Sequence, residues 1–465
     1  MTVLTEPRPL PPLAALPPAA RRRVWGWWAF DWASQPYNTL LLTFIFGPYV
    51  NELLGDGTAA QTAWGYGVGA AGLVIALLAP FLGAVADRSG RRMPFIWLFS
   101  AMYVLGAWGL WYAVPGDFSL VLILASFAIG LIGMEFATIF TNALLPTICR
   151  REDMGRVSGT GFAWGYLGGF VALVAMLLLL AENAETGTTL IGREPAFGLD
   201  PEAREGTRAV GPLAAIWFAV FMIPFFLWVR DPRPPGSIPV GRALAGAWPD
   251  LKATLTSLPR DRSLFAYLAS SMFYRDALNG MYVFGGIYAA GVLGWSVVDV
   301  GIFGILAVLT GAFFAWAGGR ADSRFGPKPV ILFNVLLLTL VAIGVVFVGR
   351  ESVFGIAVSP ESRLPDIAFY VLGALIGAGG GALQSASRTM MVRQARADRM
   401  TEGFGLYALA GKATSFIAPL SIGVVTQLTG SQQMGVTPLI VLFAIGLVLL
   451  LWVDPEGRRK PETLA

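Results

Sequence analysis

Asp31, Ser34, Gln35 and Asn38 stand at i, i+3, i+4 and i+7 within the stretch WWAFDWASQPYNTLLLTF. That spacing gathers one carboxylate and three neutral hydrogen-bonding groups on a single helix face. Pro36 lies in the same stretch. It removes an amide donor and collides with the carbonyl four residues back, so the helix is expected to kink there. Such a stripe suits a polar solute or cation, with Asp31 as gate or proton site. The structural alternative is that Asp31 pairs with one of Arg21, Arg22 and Arg23, which lie within two turns of it.

Other ionisable groups interrupt apolar stretches. Glu135, Thr138 and Asn142 share a face at i, i+3 and i+7. Glu135 either lines a cavity or pairs with Arg150 or Arg388. In YRDALNGMY, Arg275, Asn279 and Tyr282 share one face, and Asp276 and Asn279 share an overlapping one. The planar fork of Arg275 can take a carboxylate through two bonds. The alternative is a permanent ion pair between helices. Gln384, Ser387 and Arg388 share a face near the end of their segment, where Arg388 either lines a path or snorkels to the interface. Lys412 lies about six residues into its segment from the inner end, where a cavity role is favoured over snorkelling. Asp31, Glu135 and Asp276 are the candidate proton carriers.

The chain has one cysteine, Cys149, and no histidine. Disulfide frameworks, Cys/His metal sites and a histidine proton relay are therefore excluded. No phosphate-cradling Gly-rich Lys-Ser/Thr sequence is present, so ATP-driven transport by this chain alone is unsupported. No metal, cofactor or catalytic residue is expected.

The elements that must position these groups follow from composition. Of 465 residues, 55% are hydrophobic and 13% charged, with mean hydropathy +0.65. Soluble domains carry about 25% charged residues. Charge-free runs such as 57–86, 93–116, 157–181 and 329–349 are each long enough to cross a bilayer core of roughly 30 Å as a helix. Twelve spans are expected. Of the 33 Lys and Arg, 26 fall in alternate loops and tails that include both termini, and 5 in the loops between. The positive-inside rule then puts both termini in the cytoplasm; the location expected, which charge does not itself give, is a bacterial inner membrane. The basic charge is topological, and no nucleic-acid partner is expected.

The organisation expected is a disordered tail over 1–20, a six-helix bundle over 21–230, a linker over 231–262, a second bundle over 263–454 and a tail over 455–465. The linker stretch 240–258 reads as a short surface helix broken near Pro249. The loop 182–211 reads as solvated. The halves echo one another, because GAVADRSGRR (83–92) and GGRADSRFGPK (318–328) follow the second and eighth spans. Internal repeats of six spans describe a common transporter architecture. In the first copy, Gly83, Asp87, Arg88, Gly90, Arg91 and Arg92 form a candidate gate, with Asp322 and Arg324 in the second. Asp87 ends a helix, where the macrodipole disfavours a carboxylate. It needs Arg88, Arg91, Arg92 or another helix's N-terminus as partner, as a latch or as a static brace. The pairs Gly65/Gly69, Gly161/Gly165, Gly165/Gly169 and Gly373/Gly377 have the spacing of close helix packing.

GAVADRSGRR resembles the loop 2–3 signature of the major facilitator superfamily. DWASQPYNTLLLTFIFGPY, FTNALLPTI, RVSGTGFAWGYLGG, LQSASR and FGLYALAGKATSFIAPL are similar to its vacuole-effluxer, autophagy-related permease-like branch. The tail, the loop 182–211 and the extra residue in the second motif copy are not accounted for. The resemblance implies twelve helices in two pseudo-symmetric bundles and rocker-switch alternating access. Its fungal members are associated with amino-acid export from the vacuole. Asp31, Asn142, Tyr166, Arg388 and Lys412 match its motifs, and Asp87, Arg88 and Arg91 carry the gating signature.

The reading is an all-α, monomeric, proton-coupled secondary transporter of a small polar solute, amino acids among the candidates. A lipid or amphiphile flippase on the same fold is the nearest alternative. A membrane sensor or membrane-embedded enzyme is the alternative of another class.

Overall fold

The computed structural model describes residues 11–55, 57–231, 237–295, 297–359 and 361–457. Among them, ten helices are long and apolar enough to cross a membrane. Two more long helical stretches carry the polar stripes. One runs through Pro18–Pro36, Tyr37–Phe44 and Phe46–Leu54, and the other is Arg262–Leu293. The architecture is the two-bundle, all-α membrane fold expected. Large apolar side chains such as Leu105, Leu73, Phe333 and Leu340 stand exposed on its outside, as suits a surface bathed in hydrocarbon. A two-stranded hairpin, Ser352–Val353 with Ile356–Ala357, is a small addition to the all-α expectation. Its turn sets Phe354 and Gly355 at positive φ.

The interruption expected at Pro36 takes the form of a widened helix. Pro18–Pro36 is α-helical and Tyr37–Phe44 is π-helical. Pro36 donates no amide, and the helix re-registers to i→i+5 bonds, seen in Ile45 N to Leu40 O at 3.0 Å. Thr43 Oγ1 also reaches back to Asn38 O at 2.8 Å.

Several expectations are corrected. The eleventh span is two helices, Met400–Ala413 and Ile417–Thr429. Pro419 sits in the first turn of the second, where a missing amide costs no bond. The linker helix Val240–Ser257 runs unbroken through Pro249. Ala243, Ala247 and Leu251 bury a stripe four residues apart, and Pro249 faces outward where the lost bond is solvated. The described part of the tail, 11–20, is ordered: Leu16 is buried and Leu13 N donates to Asp153 Oδ2 at 3.0 Å. The loop 182–211 is tied down. Arg204 bonds Glu182 at 2.9 Å and Glu52 at 2.6 Å, and Arg208 donates to Trp111 O at 2.9 Å. Residues 1–10, 232–236 and 458–465 of the expected tails and linker lie outside the described residues.

The two bundles meet most closely at the end that carries the basic loops. Gly83 and Gly405 make one contact possible: a Cβ on Gly83 would lie 2.6 Å from Thr401 O, and one on Gly405 2.7 Å from Pro80 Cα. This joins the Gly57–Ser89 and Met400–Ala413 helices. Gly155 plays the same part between Met154–Leu179 and Val297–Phe325, where a Cβ would lie 2.7 Å from Gly319 O. Gly161, Gly165 and Gly169 pack on the first helix, and Gly373 and Gly377 pack on the eighth span. A Cβ on Gly65 or Gly69 would meet nothing within 4 Å among the described residues, so that pair does not mark a close helix approach here.

Candidate functional site

Asp31 and Arg388 form a two-bond ion pair between the bundles. Arg388 Nη1 donates to Asp31 Oδ2 at 2.8 Å and Nη2 to Oδ1 at 3.0 Å. Their side chains are 10% and 5% exposed, so the pair is nearly dry. The guanidinium also lies over Phe162 at 4.0 Å and Trp27 at 4.9 Å. Gly161 leaves the space that Asp31 needs. Asp31 therefore pairs across the seam, not with Arg21–Arg23. Among the described residues Arg388 Nε has no partner.

Glu135 and Lys412 form a second crossing. Lys412 Nζ donates to Glu135 Oε1 at 2.8 Å, with side chains 30% and 25% exposed. Lys412 ends the Met400–Ala413 helix, just before the unwound residues. Glu135 thus pairs with neither Arg150 nor Arg388, which are held by Asp153 and Asp31. Tyr166 and Gln384 add a neutral crossing, with Gln384 Nε2 donating to the Tyr166 hydroxyl at 2.9 Å. Six residues singled out in the sequence thus meet at the seam as three pairs, each taking one residue from each bundle.

The seventh span places its polar groups differently. Arg275 Nη1 donates to Tyr407 O at 2.9 Å and its guanidinium stacks on the Tyr407 ring at 4.1 Å. Among the described residues it has no carboxylate partner, so the permanent ion pair is not formed. Asp276 Oδ2 accepts from Ala418 N at 2.9 Å, capping the second half of the broken helix. Its Oδ1 is buried without a partner. Asn279 and Tyr282, one and two turns on from Arg275, are exposed. In the first span, Asn38 Nδ2 approaches Met134 S at 4.0 Å and Gln35 packs beside Gly169. Asn142 is half-buried and its Oδ1 has no partner.

At the basic end Asp87 is the hub. It accepts from Thr401 Oγ1 at 2.6 Å and Glu402 N at 2.8 Å, and Arg92 Nη2 lies at 3.2 Å. Arg92 also donates to Thr401 Oγ1 at 2.8 Å and pairs with Asp231 at 3.3 Å. The carboxylate sits on the N-terminus of Met400–Ala413, where the helix dipole favours it. Gly90 turns the chain at φ +61° to let Arg92 return. Arg88 instead pairs with Asp250 of the linker helix at 2.5 Å, and Arg91 Nε has no partner. In the second copy, Asp322 accepts from Thr389 Oγ1 inside its own bundle. Ser323, its neighbour, takes the cross-bundle bond, accepting from Arg156 N at 3.0 Å. The extra residue in that copy leaves Arg324 exposed over Phe325. Residue spacing carried no signal for Thr401, Tyr407, Asp231 or Asp250. For the break at 414–416, the run TSFIAP did, since Thr or Ser ahead of Pro marks a helix start.

Residues 54–462 match the family described as vacuole effluxer Atg22 like. The uncharacterized MFS-type transporter YxiO of Bacillus subtilis is 25% identical over 437 residues, covering 93% of this chain and 94% of that one. Autophagy-related protein 22 of Coccidioides immitis is 24% identical, covering 67% of this chain and 50% of its own length. The chain thus spans about half the length of that fungal relative. Among solved structures, the major facilitator transporter FucP in its outward conformation aligns with TM-score 0.67 and 15% identity, covering 93% of this chain and 98% of that one. The proton:xylose symporter XylE aligns with TM-score 0.65 and 11% identity, covering 93% and 94%. Identities this low establish the fold alone. These relatives and neighbours are membrane transporters, not enzymes.

Proposed function

This chain belongs to the Atg22-like vacuole effluxer family of the major facilitator superfamily, and from that premise we propose a secondary active transporter of a small polar solute, amino acids among the candidates. It works by rocking two bundles about a central site and is driven by protons. The observation that carries the reading is that two ion pairs, Asp31–Arg388 and Glu135–Lys412, each join one bundle to the other. Rocking the bundles must separate or rearrange such pairs, and a carboxylate released from its cation takes up a proton more readily. Glu135 is the better carrier, because its pair is the wetter one. Arg275, Asn279, Asn142 and Gln384 supply the polar groups that a solute carrying a carboxylate would meet. Asp87, held by Thr401, Glu402 and Arg92, acts as the latch that keeps the basic end shut.

In this reading the chain is a monomer in a bacterial plasma membrane with both termini in the cytoplasm, so the latched end faces inward. The test is flux into proteoliposomes under an imposed pH gradient, after a ligand-stabilisation screen of the purified protein has chosen the solute. Gradient-driven accumulation that Glu135→Gln abolishes supports the reading. Accumulation that ignores the gradient removes protons as the driving ion.

A further inference from the structure

We propose that the lateral seam between the bundles holds an anionic phospholipid. Its phosphodiester would sit between Arg156 and Arg320, with an acyl chain in the aromatic groove below them. The groove lies where the first, fifth and eighth spans meet and encloses about 510 Å³. Trp25, Trp28, Trp164, Leu167, Phe313 and Trp316 wall it. On the fifth span, Thr160, Ala163, Trp164 and Leu167 share the face beside the one that packs on Asp31. On the eighth, Leu309, Ala312, Phe313 and Trp316 form an i, i+3, i+4, i+7 stripe. The groove therefore opens sideways, towards hydrocarbon, and is separate from the ion pairs of the transport path. Trp25 and Phe313 are both more than half exposed along it.

Charge says what fills it. Arg156 begins the fifth span and Arg320 lies one turn beyond Trp316, so both stand at the groove's basic end. Both side chains are exposed. Arg320 stacks on Trp316 at 3.6 Å, which turns its guanidinium to the groove's rim. Arg156 N donates to Ser323 Oγ at 3.0 Å and Gly155 packs on Gly319, so the two arginines stand on helices in direct contact. Among the described residues neither has a carboxylate partner. Arg21 and Arg22 add positive charge one turn above Trp25 on the first helix. Three helices thus carry arginines towards the basic end of the groove and aromatic rings further along it. That order matches a phosphate at the interface with its chain beneath. A soluble anion would use the arginines but leave the aromatic wall bare.

The full-length protein in a neutral detergent provides the test, by native mass spectrometry with phosphatidylglycerol, phosphatidylcholine or inorganic phosphate added. Phosphatidylglycerol is expected to stay bound about tenfold more than phosphatidylcholine, as two unpaired cations at an interface dictate. Inorganic phosphate alone should not be retained. Arg156→Gln with Arg320→Gln should bring phosphatidylglycerol down to the phosphatidylcholine level, and Ala163→Phe should lower retention of both by filling the groove. On the unaltered protein, raising salt about tenfold should release phosphatidylglycerol selectively. Equal retention of the two lipids, or full retention by the double variant or in high salt, overturns the proposal. Retention of inorganic phosphate alone assigns the arginines to a soluble anion and overturns it too.

Discussion

Arg388 grips Asp31 with both terminal nitrogens, one helix from each bundle, in a pocket roofed by Trp27 and Phe162. The pair is buried, and its remaining contacts are aromatic faces that also favour a cation. Removing one partner of a buried pair leaves an uncompensated charge, at a cost of about 3–5 kcal/mol. Asp31→Asn alone is therefore expected to lower the unfolding midpoint markedly in detergent. Asp31→Asn combined with Arg388→Met should recover much of the loss, because no charge is then stranded. A thermal-unfolding cycle over the four proteins reads the coupling directly. If Asp31→Asn melts with the parent protein, the pair does not hold the bundles together.

Glu135 and Lys412 should behave in the opposite way. Their side chains are about a quarter exposed, so their attraction is screened. Such pairs are worth about 0.2–1 kcal/mol. Glu135→Gln and Lys412→Met are expected to melt close to the parent. Their effect should appear in transport: gradient-driven accumulation is lost in Glu135→Gln, while exchange of labelled for unlabelled solute persists. Retained accumulation in Glu135→Gln would take the carrier role from this residue.

The sequence made the fold class and the polar residues legible because a bilayer punishes charge. Every buried ion named at the seam stands out as a break in an apolar run. What spacing could not supply was the partner across the seam, since Asp31 and Arg388 are 357 positions apart. Proximity in sequence instead suggested Arg21–Arg23 as the partners of Asp31. The break after Lys412 was hidden for a similar reason. The stretch around it is apolar enough to read as one span, and the helix-start run TSFIAP is a weak local signal beside the Asp276 cap, which comes from another helix. The second gating copy shows the limit of repeat logic: one inserted residue moves the cross-bundle contact from Asp322 to Ser323.

Asp276 offers a clean choice between a cap and a proton carrier. Its Oδ2 holds Ala418 N at 2.9 Å at the start of Ile417–Thr429. An Asn at a helix N-terminus caps nearly as well as Asp, and loss of the cap costs about 0.5–2 kcal/mol. Asp276→Asn is expected to keep both stability and proton coupling, and Asp276→Ala to lower the melting midpoint. Lost coupling with an unchanged midpoint in Asp276→Asn would instead make this carboxylate a carrier.

The latch at Asp87 can be read through the accessibility of the contact beneath it. Asp87 holds the first turn of Met400–Ala413 by two bonds, and Gly83 and Gly405 bring the helices into backbone contact. Asp87→Asn keeps the size of the side chain but gives up its charge, so it loses the attraction to Arg92 and to the helix dipole. Contributions of this kind amount to about 1–3 kcal/mol of coupling, or five- to 150-fold in a two-state equilibrium. Ala408, which is buried in the Met400–Ala413 helix, serves as a reporter when changed to Cys in a Cys149→Ser background. A membrane-impermeant thiol reagent applied from the basic end should label it slowly in the parent. In Asp87→Asn, labelling should accelerate at least about fivefold, and Thr401→Ala should give a smaller increase in the same direction. Equal labelling in all three proteins would mean that Asp87 braces its loop without setting which end of the transporter is open.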